Sequence, residues 1–107
     1  MTRARGTARS SACRPNSEKP RERLVRCGSA ALATAELLAV VMGTGRRGAT
    51  ALDVGHEILG RFDLGGLAGA TVDELCTVAG CGPAKALQIQ AAVELGRRVV
   101  TAAPHER

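Results

Sequence analysis

Two glycine-rich segments of the chain follow the same pattern 37 positions apart. LAVVMGTG runs from Leu38 to Gly45 and LCTVAGCG runs from Leu75 to Gly82, and both read apolar-x-x-apolar-x-Gly-x-Gly. A short helical pattern precedes each segment and a longer one follows it. A repeated helix–turn–helix unit predicts two copies packed about one pseudo-twofold axis.

Helical periodicity and capping residues predict the elements around these two turns. No stretch alternates with a period of two residues, so no strand is predicted. The predicted fold class is therefore all-α, with about five helices, two helix–turn–helix units and no sheet. The expected helices are Pro20–Cys27, one from the capping residue Thr34 through Met42, Ala49–Arg61, one from the capping residue Thr71 to about Val78, and Pro83 to about Thr101.

The glycines of each turn have separate expected roles. The first of each pair, Gly43 and Gly80, is expected to end a helix at a positive φ angle. The second, Gly45 and Gly82, is expected to let the backbone approach a bulky group closely. Cys81, between the glycines of the second turn, suits an apolar slot.

The second turn is predicted to bind an anion. Its amides lie near the positive end of the last helix, and the natural anion is a phosphate of a nucleic-acid backbone. The expected contacts are Gly80, Gly82, Ala84 and Lys85, and a second set in the first turn comprises Gly43, Thr44, Gly45, Arg46 and Arg47. The alternative is a pair of helical hairpins that bind no ligand. Neither copy matches G-x-x-x-x-G-K-[ST], so a P-loop is a poor interpretation.

Positive charge is concentrated at the N-terminus. Residues 1–26 hold eight basic and two acidic side chains, whereas residues 27–107 hold seven basic and eight acidic ones. Residues 1–16 are predicted to be a disordered basic arm, residues 17–103 the helical domain and 104–107 a tail. Such an arm either holds polyanions without sequence preference or is only a solvated tail. Phe62 is the only aromatic residue, which excludes stacking of bases on several rings.

Other chemistry finds little support in the sequence. The four cysteines, Cys13, Cys27, Cys76 and Cys81, form no C-x-x-C pair, so neither a metal nor a cofactor is predicted. No segment reaches the roughly 20 apolar residues of a membrane span, and no secretory signal is recognised. We therefore expect a cytoplasmic protein with free thiols. Helix capping and dipole roles account for Glu36, Asp73, Glu74, Arg97 and Arg98, and His56 is expected at the surface.

The stretch V-x-G-x-G-x-x-K-A, from Val78 to Ala86, resembles a helix-hairpin-helix motif, the phosphate-gripping element of many DNA-repair proteins. Longer strings at Glu18–Gly28, Ala31–Leu59 and Asp73–Arg98 resemble the N-terminal domain of the RadC family, also called UPF0758, over nearly all of the ordered chain. Full-length members carry a C-terminal JAB/MPN-type metallopeptidase-like domain with an H-x-H zinc motif, which has no counterpart here. Cys81 also departs from the branched apolar residue usual between the two glycines.

The resemblance implies a non-enzymatic module, linked to DNA repair, that grips double-stranded or branched DNA by its phosphates without reading bases. The alternative is a protein-interaction remnant of a truncated RadC-like protein, with a separate JAB/MPN-type domain as partner. The near-neutral charge of residues 27–107 favours this alternative.

Overall fold

The computed structural model describes residues 19–102. Between those limits the chain forms helices joined by turns, and it contains no strand. The predicted arm, residues 1–16, and the predicted tail, residues 104–107, lie outside this range. A 3-10 turn at Ser29–Ala31 follows the first helix. The five α-helices are α1 at Pro20–Cys27, α2 at Thr34–Met42, α3 at Ala51–Leu67, α4 at Val72–Leu75 and α5 at Pro83–Thr101.

The prediction that Thr34 caps α2 is wrong, because Thr34 is the first residue of the helix and Ala33 occupies the N-cap position. The Glu36 carboxylate accepts a hydrogen bond from the Ala33 amide at 2.8 Å and so satisfies the backbone at this helix end. Helix α3 begins two residues later than expected, after Thr50, whose hydroxyl accepts from the Asp53 amide at 3.1 Å. Thr71 and Glu74 form the predicted reciprocal capping box.

Helix α3 is interrupted at Asp63, which the sequence did not predict. Asp63 has φ 49° and ψ −179°, values that an L-residue rarely adopts. Its carboxylate accepts a hydrogen bond from the Gly66 amide at 2.8 Å and so caps the turn that follows. Residues 64–67 then form one further helical turn before the chain reaches α4.

One apolar core is shared by the two halves of the domain. Helix α2 packs on α3 and α5, while α4 packs on α5. Gly55 permits the close approach of α2 and α3, because a Cβ there would lie 2.8 Å from the Ala35 carbonyl oxygen. The core residues are Leu38, Met42, Val54, Ile58, Leu67, Ala70, Leu75, Val78, Cys81, Ala86 and Ile89.

A buried ion pair attaches α1 to α2. The side chain of Arg23 is only 2% exposed, and its Nε donates to Oε2 of Glu36 at 2.7 Å. Its Nη2 also donates to the Ala31 carbonyl oxygen at 3.2 Å. Arg23 therefore holds α1 against α2. The count of basic residues in the N-terminal segment included its charge, but that charge is paired with Glu36 and is not available to a polyanion.

Candidate nucleic-acid interface

The first glycine of each turn has the predicted positive φ, but only Gly43 ends a helix: the helix expected to reach about Val78 ends at Leu75, five residues before Gly80. Gly43 has φ 85° and Gly80 has φ 89°, both in the region that glycine adopts without a steric penalty. The amide of Gly43 donates to the Ala39 carbonyl oxygen at 2.9 Å and closes the last turn of α2. Each chain reversal therefore depends on a glycine.

The second glycines differ from each other. A Cβ at Gly45 would collide with the backbone of Ala49 and Thr50, so the expected close approach is confirmed there. A Cβ at Gly82 would meet no atom within 4 Å. The expectation of a bulky neighbour is therefore wrong for Gly82 within the described chain, because this glycine faces open space.

The two turns lie side by side and are joined by side chains. Nζ of Lys85, on α5, donates to the carbonyl oxygen of Gly45 at 3.0 Å. Nε2 of Gln88, one turn later, donates to the carbonyl oxygen of Val41 at 2.9 Å. The aliphatic part of Arg46 covers Gly80, since a Cβ at Gly80 would lie 3.1 Å from Arg46 Cδ. The two predicted sets of contacts therefore form one surface.

The helix N-termini beside the two turns are capped differently. At α3, the Asp53 carboxylate accepts a hydrogen bond from the Thr50 amide at 3.0 Å, and the hydrogen bonds with Thr50 hold the pKa of Asp53 below its usual value. An anionic side chain thus already occupies that helix end. At α5 the capping residue is Gly82, which has no side chain to accept a hydrogen bond.

The amides at the start of α5 are available to an external acceptor. Those of Gly82, Ala84 and Lys85 make no hydrogen bond within residues 19–102, and Gly82 and Ala84 are exposed. Pro83, between them, has no N–H to lose. Three unpaired backbone amides at a helix N-terminus favour an anion.

Arg46 and Arg47 contribute the exposed positive charge of this surface. Nη1 of Arg46 donates to the Arg47 carbonyl oxygen at 3.2 Å, and no acidic side chain forms an ion pair with either arginine among the described residues. A groove of about 1070 Å³ opens beside the first turn and is lined by Lys19, Arg21, Thr44 and residues of α1, α2 and α3. The exposed positive charge of the surface therefore comes from Arg46 and Arg47, whereas the groove carries Glu22 beside Lys19 and Arg21.

The cysteines have structural surroundings. Cys81 is buried, as predicted, and burial raises the pKa of its thiol, with a smaller contribution from Cys76. Cys76 and Cys81 are free thiols, but Cys27 is disulfide-bonded, so the expectation of free thiols is wrong at Cys27. Within residues 19–102, no three His, Cys, Asp or Glu side chains are grouped so that they could hold a metal ion.

Sequence reasoning missed three polar contacts that shape the site. Lys85 was predicted to face only a ligand, yet it also binds Gly45; Gln88 received no role at all. Glu36 was assigned to capping alone, although it also pairs with Arg23. The sequence offers one usable signal, since the 37-residue repeat places the start of α5 beside the first turn if the two copies pack symmetrically.

Comparison with known proteins places the chain in one family. The family model described as UPF0758 N-terminal matches residues 12–87. The chain is 49% identical over 89 residues to the UPF0758 protein of Dechloromonas aromatica, covering 81% of this chain and 39% of that protein. It is 51% identical over 87 residues to the UPF0758 protein of Geotalea uraniireducens, covering 78% of this chain and 38% of that protein.

The chain spans about two fifths of the length of these relatives, as it does for the UPF0758 protein of Trichodesmium erythraeum, of which it covers 41% at 45% identity. No solved structure matches significantly. None of the helices between residues 19 and 102 combines the length and apolar character needed to cross a membrane.

Proposed function

The chain belongs to the UPF0758 family, whose N-terminal domain it matches, and we propose that this domain is a non-catalytic module that binds DNA. It grips the phosphates of double-stranded or branched DNA in the cytoplasm without reading the bases. A role in DNA repair follows from the resemblance of its turns to helix-hairpin-helix motifs.

The junction of the two glycine turns is the observation that supports this function best. Lys85 connects the N-terminus of α5 to Gly45, and Arg46 lies over Gly80. Backbone amides and three cationic side chains, Arg46, Arg47 and Lys85, are thus gathered in one place. Amides and cations recognise phosphate oxygens, which every nucleotide carries, so binding of this kind is independent of sequence.

The alternative modes of nucleic-acid binding lack the necessary groups. The one aromatic residue of the chain, Phe62, is half-buried against the core, which leaves no platform on which bases could stack. A second candidate function, a protein-interaction module, is favoured by the exposed end of α5. The two functions are compatible because they use opposite ends of that helix.

The test is fluorescence anisotropy of labelled duplex and four-way branched DNA over a salt series. The double variant Arg46→Gln/Arg47→Gln should bind more weakly and lower the salt slope by roughly two, about one for each lost phosphate contact. The matched control is Arg97→Gln/Arg98→Gln, which removes the same charge from the far end of α5, where both arginines pair with Glu94.

The contribution of the basic arm is measured with a chain that begins at Ser17. Binding that persists in this shorter chain and still depends on Arg46 and Arg47 supports the proposal. The proposal fails if the two double variants lose affinity equally, or if binding disappears once residues 1–16 are removed.

A further inference from the structure

Helix α5 carries one apolar stripe that extends beyond the core. Its residues follow each other at separations of alternately three and four, the spacing that keeps one helix face toward a partner. Ala86 and Ile89 are fully buried, and Val93 packs against the core. Gly96 and Val100 continue the same stripe, yet Val100 is 83% exposed. The face that builds the core therefore continues for two turns with nothing against it in residues 19–102.

Gly96 has no role within the described chain. A glycine inside a helix costs about 1 kcal/mol relative to alanine. A Cβ at Gly96 would meet no atom within 4 Å, so no internal packing requires its absence. A glycine on a packing face lets another backbone approach closely, and here that backbone would come from outside residues 19–102.

The end of α5 is nonetheless a regular helix. Glu94 forms ion pairs with Arg97 at 2.6 Å and with Arg98 at 2.9 Å, and both arginine side chains are exposed. A notch of about 250 Å³ lies where the covered half of the stripe ends, and it is lined by Leu67, Ala70 and Val93 together with the polar residues Gln90 and Glu94. An ordered apolar surface with a notch beside it is suited to accept a side chain from a docking segment.

We propose that the outer half of this stripe, Val93, Gly96 and Val100, with the adjoining notch, is the docking surface for an apolar helix from the rest of a UPF0758 protein. The matched relatives are about two and a half times as long as the part that this chain covers. The family model describes the N-terminal region, so the remaining length follows the end of α5. The surface is continuous with the core and lies next to the point at which that length begins.

This inference depends on family membership and not on DNA binding. Val100 is 17 positions from the start of α5, which places it about 26 Å from the glycine turns along the helix axis. A partner at this surface leaves the cationic surface free. Loss of docking therefore does not imply loss of DNA binding, and loss of DNA binding does not imply loss of docking.

Hydrogen exchange tests the proposal on two natural proteins, the full chain and the full-length UPF0758 protein of Dechloromonas aromatica. The segment aligned with the last two turns of α5 should exchange at least about tenfold more slowly in the longer protein, because docking protects the amides there. Equal exchange rates in the two proteins would refute the docking surface.

A matched pair of variants assigns the protection to this face. Val100→Asp and Leu95→Asp place the same charge at exposed positions, but these positions lie about 140° apart around α5. They are introduced into a chimera in which residues 1–101 replace the matching domain of the Dechloromonas aromatica protein. Val100→Asp should restore fast exchange, and Leu95→Asp should not.

Light scattering of the full chain tests the competing occupant. The proposal expects a monomer whose mass is unchanged by Val100→Asp. A concentration-dependent dimer that Val100→Asp abolishes and Leu95→Asp preserves would overturn it, because a second copy would then cover the stripe.

Discussion

The ammonium of Lys85 and the carbonyl oxygen of Gly45 form a 3.0 Å hydrogen bond between residues 40 positions apart in the sequence. This bond joins the two glycine turns directly. An ammonium has three donors, so Lys85 can hold Gly45 and still face an anion. Lys85 is therefore both a structural tie and a candidate phosphate contact.

Replacement of Lys85 by Met should lower both stability and DNA affinity. The lost hydrogen bond should reduce the free energy of unfolding by about 1 kcal/mol, since the carbonyl of Gly45 keeps access to water. Urea denaturation measures this change, with the exposed Arg47→Gln as a control that should stay within about 0.5 kcal/mol of the original. An unchanged stability in Lys85→Met would show that the tie contributes nothing.

Replacement of Gly82 by Asp should change stability and binding in opposite directions. Aspartate is a strong capping residue, so its carboxylate should accept hydrogen bonds from Ala84 and Lys85 and stabilise the domain by about 0.3–0.5 kcal/mol relative to glycine. The same carboxylate would occupy these amides and repel a phosphate, so DNA affinity should fall. Gly82→Asn is the control: it caps similarly without the charge and should weaken binding less. Unchanged DNA affinity in Gly82→Asp would exclude this helix end from the interface.

Gly80 should tolerate alanine far less well than Gly82 does. At Gly80, φ is 89° and an added Cβ would lie 2.9 Å from Val54 Cγ2, so Gly80→Ala should cost about 2 kcal/mol or more. At Gly82, φ is −83° and the space is open, so Gly82→Ala should cost at most about 1 kcal/mol through poorer capping. Thermal unfolding of both variants gives the comparison, and equal losses would contradict the different backbone geometry of the two glycines.

The stability of the domain should decrease in acid through Glu36. The hydrogen bond from Arg23 is the main reason that the pKa of Glu36 lies below its ordinary value of 4.5. Because the folded-state pKa is the lower one, the stabilisation is complete above pH 4.5 and is lost as the pH falls through the folded-state pKa. Urea denaturation between neutral pH and pH 3 should show this loss, and Glu36→Gln should flatten the profile. A profile with the same slope in both proteins would assign the acid sensitivity to other carboxylates.

Much of the fold follows from local patterns in the sequence. Three predicted features are local: capping by Thr71, the positive φ of Gly43 and Gly80, and the start of α5 at Pro83. Each of them depends only on residues within four positions of the residue concerned. Such short-range signals can be recognised without knowing the tertiary structure. The end of α4 was predicted less well, since the helix expected to reach about Val78 ends at Leu75.

The missed features depend on residues that are distant in sequence or on local strain. Pairing of Arg23 with Glu36, and of Gln88 with Val41, requires knowledge of how the helices pack. Asp63 has no sequence signature that separates it from an ordinary helical aspartate. The candidate site was predicted as two sets of residues, and only packing reveals that Lys85 makes them adjacent.

The shared core makes the two repeats mutually dependent. Leu38, Met42 and Val54 come from the first half, whereas Leu75, Cys81 and Ile89 come from the second, and all contribute to one cluster. Neither half would bury its apolar face by itself. A chain cleaved in the Gly69–Ala70 segment should thus yield two fragments that are unfolded apart and recover the domain by complementation, which makes the association of the fragments a direct readout of the packing between the repeats.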